Sequence, residues 1–203
     1  MPPTDPTDDE PSDASLVERI RRGSPEALDP LYRRHGADVY RFALMWSGSA
    51  AVAADVTQEV FVHLLVHAGD FNSDRGRVGA YLCGIARNLV RRQLAMPTHD
   101  PLPEVDDDAL ASLVRVEEKE EPLPRLLRKA ELESLRRAIA RLPAPYREAL
   151  ILVELQGCSY AEAAAICGCE LGTIRSRLSR ARGLLVRLLG SRTDADATVG
   201  EAQ

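Results

Sequence analysis

The sequence predicts an all-α protein built as two small helical domains joined by a flexible acidic linker. Three observations carry this. Ala, Leu, Arg and Glu, all strong helix formers, dominate a chain in which only 4% of residues are aromatic. Apolar residues recur at helical spacing, and no segment alternates with the period of a strand. Charge is also partitioned. The whole chain is −5, but residues 15–95 sum to +3 and 126–190 to +5, while 1–14, 96–125 and 191–203 sum to −5, −6 and −2. Two basic blocks are thus flanked and joined by acid.

Residues 1–14, "MPPTDPTDDEPSDA", are acidic and Pro-rich and read as a disordered tail, the opposite of a signal peptide. Ser15 with Glu18 fits a capping box opening a short helix through Arg22. Ser24-Pro25 restarts a helix that runs to about Trp46, with Pro tolerated at its first position. A third helix spans about Ala50 to His67. On it Val56, Val60 and Leu64 share one face, and Asp55, Gln58, Glu59 and Val62 the opposite one. That second stripe suits either water or a basic partner. A fourth helix runs from about Val78 to Leu94, after the loop "GDFNSDRGR". Val78, Leu82, Ile85 and Leu89 form its apolar stripe. Ala80, Gly84, Arg87 and Arg91 face away, with Arg77 and Asn88 on the flank. Small residues interleaved with arginines let a polyanion approach a cationic surface.

Residues 96–125 are rich in Pro and acids and read as the linker. It is either a solvated spacer or an acidic strand that competes with nucleic acid for the basic blocks or threads a basic channel. The second block, 126–190, starts with a helix from about Arg125 to Arg141, ended by "LPAP". A helix from near Tyr146 to Gly157 follows. Ser159 and Glu162 form another capping box, "CGC" supplies a turn at Gly168, and a longer helix begins near Leu171. This is the layout of a helix-turn-helix. On the last helix Leu171, Ile174, Leu178, Ala181 and Leu185 line one face. Gly172, Thr173, Ser176, Ser179 and Arg180 line the other, flanked by Arg175, Arg177 and Arg182. Arg can fork to guanine, hydroxyls reach bases or phosphates, and small residues permit close approach in a major groove. Residues 191–203 read as a C-terminal tail.

Other chemistries find little support. Cys83, Cys158, Cys167 and Cys169 lack disulfide-framework or zinc spacing and read as buried thiols. His63 and His67 are four apart, but Leu64 stands where a zincin needs Glu. No phosphate loop or nucleophile elbow occurs, so neither a metal, a cofactor nor an enzymatic role is expected. No run of 18 apolar residues suggests membrane insertion, and a cytoplasmic location is expected.

"LPAPYREALILVELQGCSYAEAAAICGCELGTIRSRLSRAR" resembles region 4 of bacterial sigma-70 factors, in particular the extracytoplasmic-function (ECF) group. "DVTQEVFVHLL" resembles region 2.2, and "YLCGIARNLVRRQL" regions 2.3 and 2.4. Tyr81 stands where the family usually has Trp, and "LVRRQLA" replaces an expected Asp-containing stretch. The resemblance implies a subunit that directs core RNA polymerase to promoters and helps open them. Asp55, Gln58 and Glu59 would bind the β′ clamp helices, and the second block would meet the β flap. Asn72, Ser73, Arg75, Arg77, Arg87, Asn88 and Arg91 would hold the −10 element as a single strand. Thr173, Arg175, Ser176, Arg177, Ser179 and Arg180 would read the −35 duplex. An anti-sigma factor is an implied partner. A conventional dimeric helix-turn-helix regulator is the alternative.

Overall fold

Residues 10–95 and 122–199 are described by the structure, a computed structural model. The tail call on residues 1–9 and the linker call on 96–121 lie outside the described residues. Four helices form the N-terminal block: α1 (Asp13–Arg21), α2 (Leu28–Ser47), α3 (Ala50–Val66) and α4 (Val78–Ala95). Four more follow: α5 (Pro122–Ala140), α6 (Ala144–Leu150), α7 (Tyr160–Cys167) and α8 (Leu171–Val199). The described residues contain no strand.

Helix boundaries follow local chemistry. α1 is capped by Ser12, not by Ser15 as the sequence suggests. Ser12 is extended, and its hydroxyl accepts the Ser15 N–H at 3.2 Å. Ser15 already lies inside the helix, and Glu18 is used instead by Arg21 and Arg22. A single 3₁₀ turn, Pro25–Ala27, leads into α2. Ser49 caps α3 by accepting the Val52 N–H. The expected helix from Tyr146 to Gly157 is two pieces, because Ile151–Leu155 widens into a π turn closed by Gln156 N–H on the Ile151 carbonyl. α5 begins at Pro122, inside the segment read as linker. α8 continues past the expected end at 190, since no proline interrupts it and neither Gly183 nor Gly190 takes a positive φ.

The stripes expected to be apolar are buried, except at the two ends of the α8 stripe, Leu171 and Leu185. Leu31, Phe42, Leu44, Leu64 and Leu82 fill the first block; Ile139, Leu142, Ile151, Leu152, Ile174 and Leu178 fill the second. Burying one such side chain fully is worth about 1.5–3 kcal/mol. α1 is fastened to α2 by Asp13, whose carboxylate accepts Arg34 Nη1 at 2.8 Å and lies 2.6 Å from His35 Nε2. Burial would raise the Asp13 carboxyl, but these two partners outweigh it and hold it below its ordinary range.

The buried cluster runs continuously through both blocks. α7 and the turn before it pack on α4, and the α6–π segment packs on α2. The first half of the outward face of α4 is therefore covered rather than solvated: Ala80, expected to face away, is 6% exposed, and Gly84 sits against Ile166 of α7, while Arg91 farther along stays exposed.

Candidate nucleic-acid interface

The helix-turn-helix is assembled by three local devices. Ser159 and Glu162 complete a reciprocal capping box: the Glu162 N–H donates to Ser159 Oγ at 3.2 Å, and Ser159 N–H to Glu162 Oε2 at 2.8 Å. Gly168 ends α7 in the left-handed region (φ 63°), where a side chain would be strained. Ile174, Leu178 and Ala181 then anchor α8, each at most 1% exposed. Leu171, expected in that stripe, is more exposed, at 37%, because it starts the helix beyond the core.

The six residues read as −35 contacts divide by geometry. Arg175, Ser176, Ser179 and Arg180 are exposed on the outer face of α8. The Ser176 hydroxyl donates back to the Thr173 carbonyl at 2.9 Å, leaving its oxygen as an acceptor. Arg180 lies 3.4 Å from the Tyr146 hydroxyl. Thr173 and Arg177 are half-buried, and Arg177 folds back over Cys169. Arg182 is paired with Glu154, its Nε donating at 3.1 Å. The arginines able to turn toward a groove are thus Arg175 and Arg180.

The seven residues read as −10 contacts gather on α4 and the loop before it. Asn72 shapes that loop by accepting the Asp74 N–H at 2.8 Å, opening the 3₁₀ turn Ser73–Arg75. Gly76 follows at φ 142°. Asn72, Ser73, Arg75, Asn88 and Arg91 are exposed, and so is Arg77, at 65% of its side chain. Arg77 and Arg87 are engaged by the other block. Arg77 donates through Nε to Glu162 Oε1 at 3.2 Å and through Nη2 to the Gly157 carbonyl at 2.8 Å. Arg87 pairs with Glu148 in a bridge whose side chains are only 11% and 7% exposed. A cavity of about 530 Å³ opens beside the loop, lined by Phe71, Ser73, Gly76, Arg77 and Cys83, with Gln156 of the second block in its wall. Phe71 and Tyr81 pack edge to face there.

Burial would raise the Glu162 carboxyl, but the Arg77 and Ser159 hydrogen bonds outweigh it and hold it at about 2. Burial raises the thiols of Cys83 and Cys158, the latter to about 11, and burial lowers Arg147. On α3, Asp55 and Gln58 are exposed, whereas Glu59 is paired with Arg92 of α4. An apolar groove between α2 and α3 adjoins Gln58, edged by Tyr32, Val62 and Leu65. The His63 and His67 rings lie 4.5 Å apart, tilted by 38°, and no group of three or more His, Cys, Asp or Glu among the described residues is arranged to hold a metal. Among the described residues no helix is long and apolar enough to cross a membrane.

Glu148, Glu162, Arg147 and Gln156 form contacts between the two blocks, and sequence reasoning assigned none of them to such contacts. One signal existed for Glu148: a carboxylate inside the apolar run "EALIL" needs a buried partner. Glu162 was legible only as a cap.

Residues 31–96 match sigma-70 region 2, and residues 132–185 match sigma-70 region 4. A helical bundle followed by a helix-turn-helix, matched by those two regions in order, defines the class as sigma factors. The chain is 38% identical over 148 residues to the ECF RNA polymerase sigma factor EcfG of Rhodopseudomonas palustris, covering 73% of this chain and 77% of that protein. It is 34% identical over 188 residues to the ECF RNA polymerase sigma factor SigM of Mycobacterium tuberculosis, covering 89% and 86%. The structure of CnrH in complex with the cytosolic domain of CnrY matches with a TM-score of 0.63 at 25% identity, over 88% of this chain and 97% of that one. The sigma factor RpoE of Bartonella quintana, in complex with the anti-sigma factor NepR, matches with a TM-score of 0.61 at 26% identity, over 80% and 96%. The chain belongs to the sigma-70 family, within its ECF group. The dimeric regulator is not favoured, because the N-terminal block is itself matched by region 2.

Proposed function

We propose that this chain directs core RNA polymerase to promoters from the cytoplasm and helps open them, without catalysis of its own. The observation that carries this is the pairing of two separate cationic faces, on α4 and α8, with blocks matched by regions 2 and 4. α8 enters the −35 major groove, with Arg175 and Arg180 reaching base edges and Ser176 and Ser179 close to the backbone. The 72–77 loop, with Asn88 and Arg91, holds the −10 strand. The cavity beside the loop receives an extruded base, which turns the few kcal/mol cost of unstacking into sequence selectivity. Each reader alone is weak, and joining them on one chain and one polymerase raises their effective concentration at correctly spaced elements.

Asp55 and Gln58 form the centre of the polymerase-docking stripe, with the Val62–Leu65 groove as its apolar margin. The clamp helices of β′ are the proposed partner there, and the β flap that of the second block. An anti-sigma factor is a further proposed partner, in line with the complex formed by the RpoE relative. Co-elution with core polymerase, followed by transcription from a promoter library, tests the reading. Asp55→Arg with Gln58→Arg is expected to abolish holoenzyme formation while leaving helicity unchanged. Unchanged co-elution would refute the stripe, and a core-independent dimer with no promoter-specific transcript would refute the function.

A further inference from the structure

We infer that Tyr146, on α6, is a positioning residue for Arg180: its hydroxyl holds the guanidinium ready to fork onto a guanine without neutralising it. The inference deepens the proposed −35 role of Arg180 and rests on it.

The arginines around the outer face of α8 are held in different ways. Arg182 is paired with the Glu154 carboxylate, so its charge is answered within the protein. Arg177 is half-buried, with Nη1 3.8 Å from Cys169 Sγ. Arg175 is exposed and has no side-chain partner among the described residues. Arg180 is also exposed, but its Nη1 lies 3.4 Å from the Tyr146 hydroxyl oxygen. Arginine carries no acceptor, so the N–H donates and the phenol oxygen accepts. The contact is at the long end of a hydrogen bond, and it guides the guanidinium without clamping it. The chemistry of the partner decides what is left for DNA. A carboxylate cancels the cation and takes a fork of its own, as Glu154 does with Nε and Nη2 of Arg182. A phenol takes one Nη1–H and leaves the charge whole. The Nε–Nη2 edge of Arg180 keeps its parallel N–H groups, which match O6 and N7 of guanine in a major groove.

The phenol sits on a rigid mount. Pro143 precedes α6 and Pro145 stands in its first turn, where the missing N–H costs nothing. The Tyr146 N–H donates to the Pro143 carbonyl at 2.9 Å. Its ring is half-buried and packed against the core, in which Ala149 of α6 and Leu178 and Ala181 of α8 are at most 1% exposed. The hydroxyl is thus fixed relative to α8. An untethered arginine on that face samples many rotamers and loses them when it meets a base. Restraining Arg180 beforehand removes part of that cost, and it does so only at the base Arg180 reads. Arg175, with no such partner, has no equivalent gain.

The test uses holoenzyme reconstituted from core polymerase and the full-length chain. The probe is a promoter duplex library randomised across the −35 element, with the bound fraction sequenced. Wild type is compared with Arg180→Ala, Tyr146→Phe and the double variant. Arg180→Ala is expected to flatten the preference at one −35 position, where wild type selects guanine. Tyr146→Phe is expected to lower the guanine preference at that same position by about three- to tenfold, the range for ordering one long side chain. Preferences at the other positions, and the helicity and urea midpoint of the chain, should stay close to wild type, because Phe keeps the ring. On the Arg180→Ala background, Tyr146→Phe should change base preference no further. An unchanged guanine preference in Tyr146→Phe overturns the inference. Equal weakening at every position, the mark of a phosphate contact or lost packing, overturns it too, as does a further loss in the double variant. An Arg180→Ala variant that flattens no position refutes Arg180 as a base reader instead, and that single variant tells the two failures apart.

Discussion

On α8, Arg175, Ser176, Ser179 and Arg180 stand exposed over a stripe of Ile174, Leu178 and Ala181 that is almost wholly buried. On α4 the apolar stripe is equally buried, but Arg87 is 11% exposed, and Arg87 and Arg77 are both held by carboxylates of the other block. Both helices carry the same sequence pattern of arginines and small residues over an apolar face. What differs is the partner. The α8 face is ready for a polyanion, whereas the α4 face already has two anions in place. A cationic helix face in a sequence therefore reports what it can bind, and its availability depends on residues far along the chain.

The largest expected effect removes the scaffold beneath one face. Leu178→Ala should cost about 2–5 kcal/mol in urea unfolding, because the site is fully enclosed. It should also abolish −35 binding, while Leu82→Ala should damage the α4 face by a similar amount. Next come the readers. Arg180→Ala should cost about 1–3 kcal/mol at one −35 base position, measured by binding to a duplex library. Uniform weakening over all sequences would mark a phosphate contact instead.

A smaller effect concerns pH. The Glu162 carboxyl is depressed from 4.5 to about 2 and faces Arg77 and the thiols of Cys83 and Cys158. A depressed acid contributes stability above its unfolded value and loses it as pH falls through the folded one. The stability gap between wild type and Glu162→Gln should therefore be full above about pH 4.5 and close as pH approaches 2. A gap independent of pH would contradict the pairing. The smallest effect belongs to Arg182→Ala. Its exposed pair with Glu154 is screened by solvent and should change the urea midpoint little, and −35 base preferences should not change.

Much of this was legible from local chemistry. Periodicity located the helices, the Ser159–Glu162 box and Gly168 located the helix-turn-helix, and the wheel separated Ile174 and Leu178 from Ser179 and Arg180. Misses came where two local solutions compete or where contacts are long-range. Ser12 and Ser15 both offer caps, and only the extended backbone at Ser12 decides between them. The π turn at Ile151–Leu155 leaves the same apolar run as a plain helix. The Arg87–Glu148 and Arg77–Glu162 pairs join residues 61 and 85 positions apart, which no local spacing encodes.

The most direct measurement compares the chain's affinity for a random single-stranded DNA pool and a random duplex, with and without core polymerase. Weak, salt-dependent duplex binding by the free chain, with tight single-strand binding appearing only once core is present, is the expected result. A free chain that binds the single strand as tightly as the holoenzyme does would contradict it.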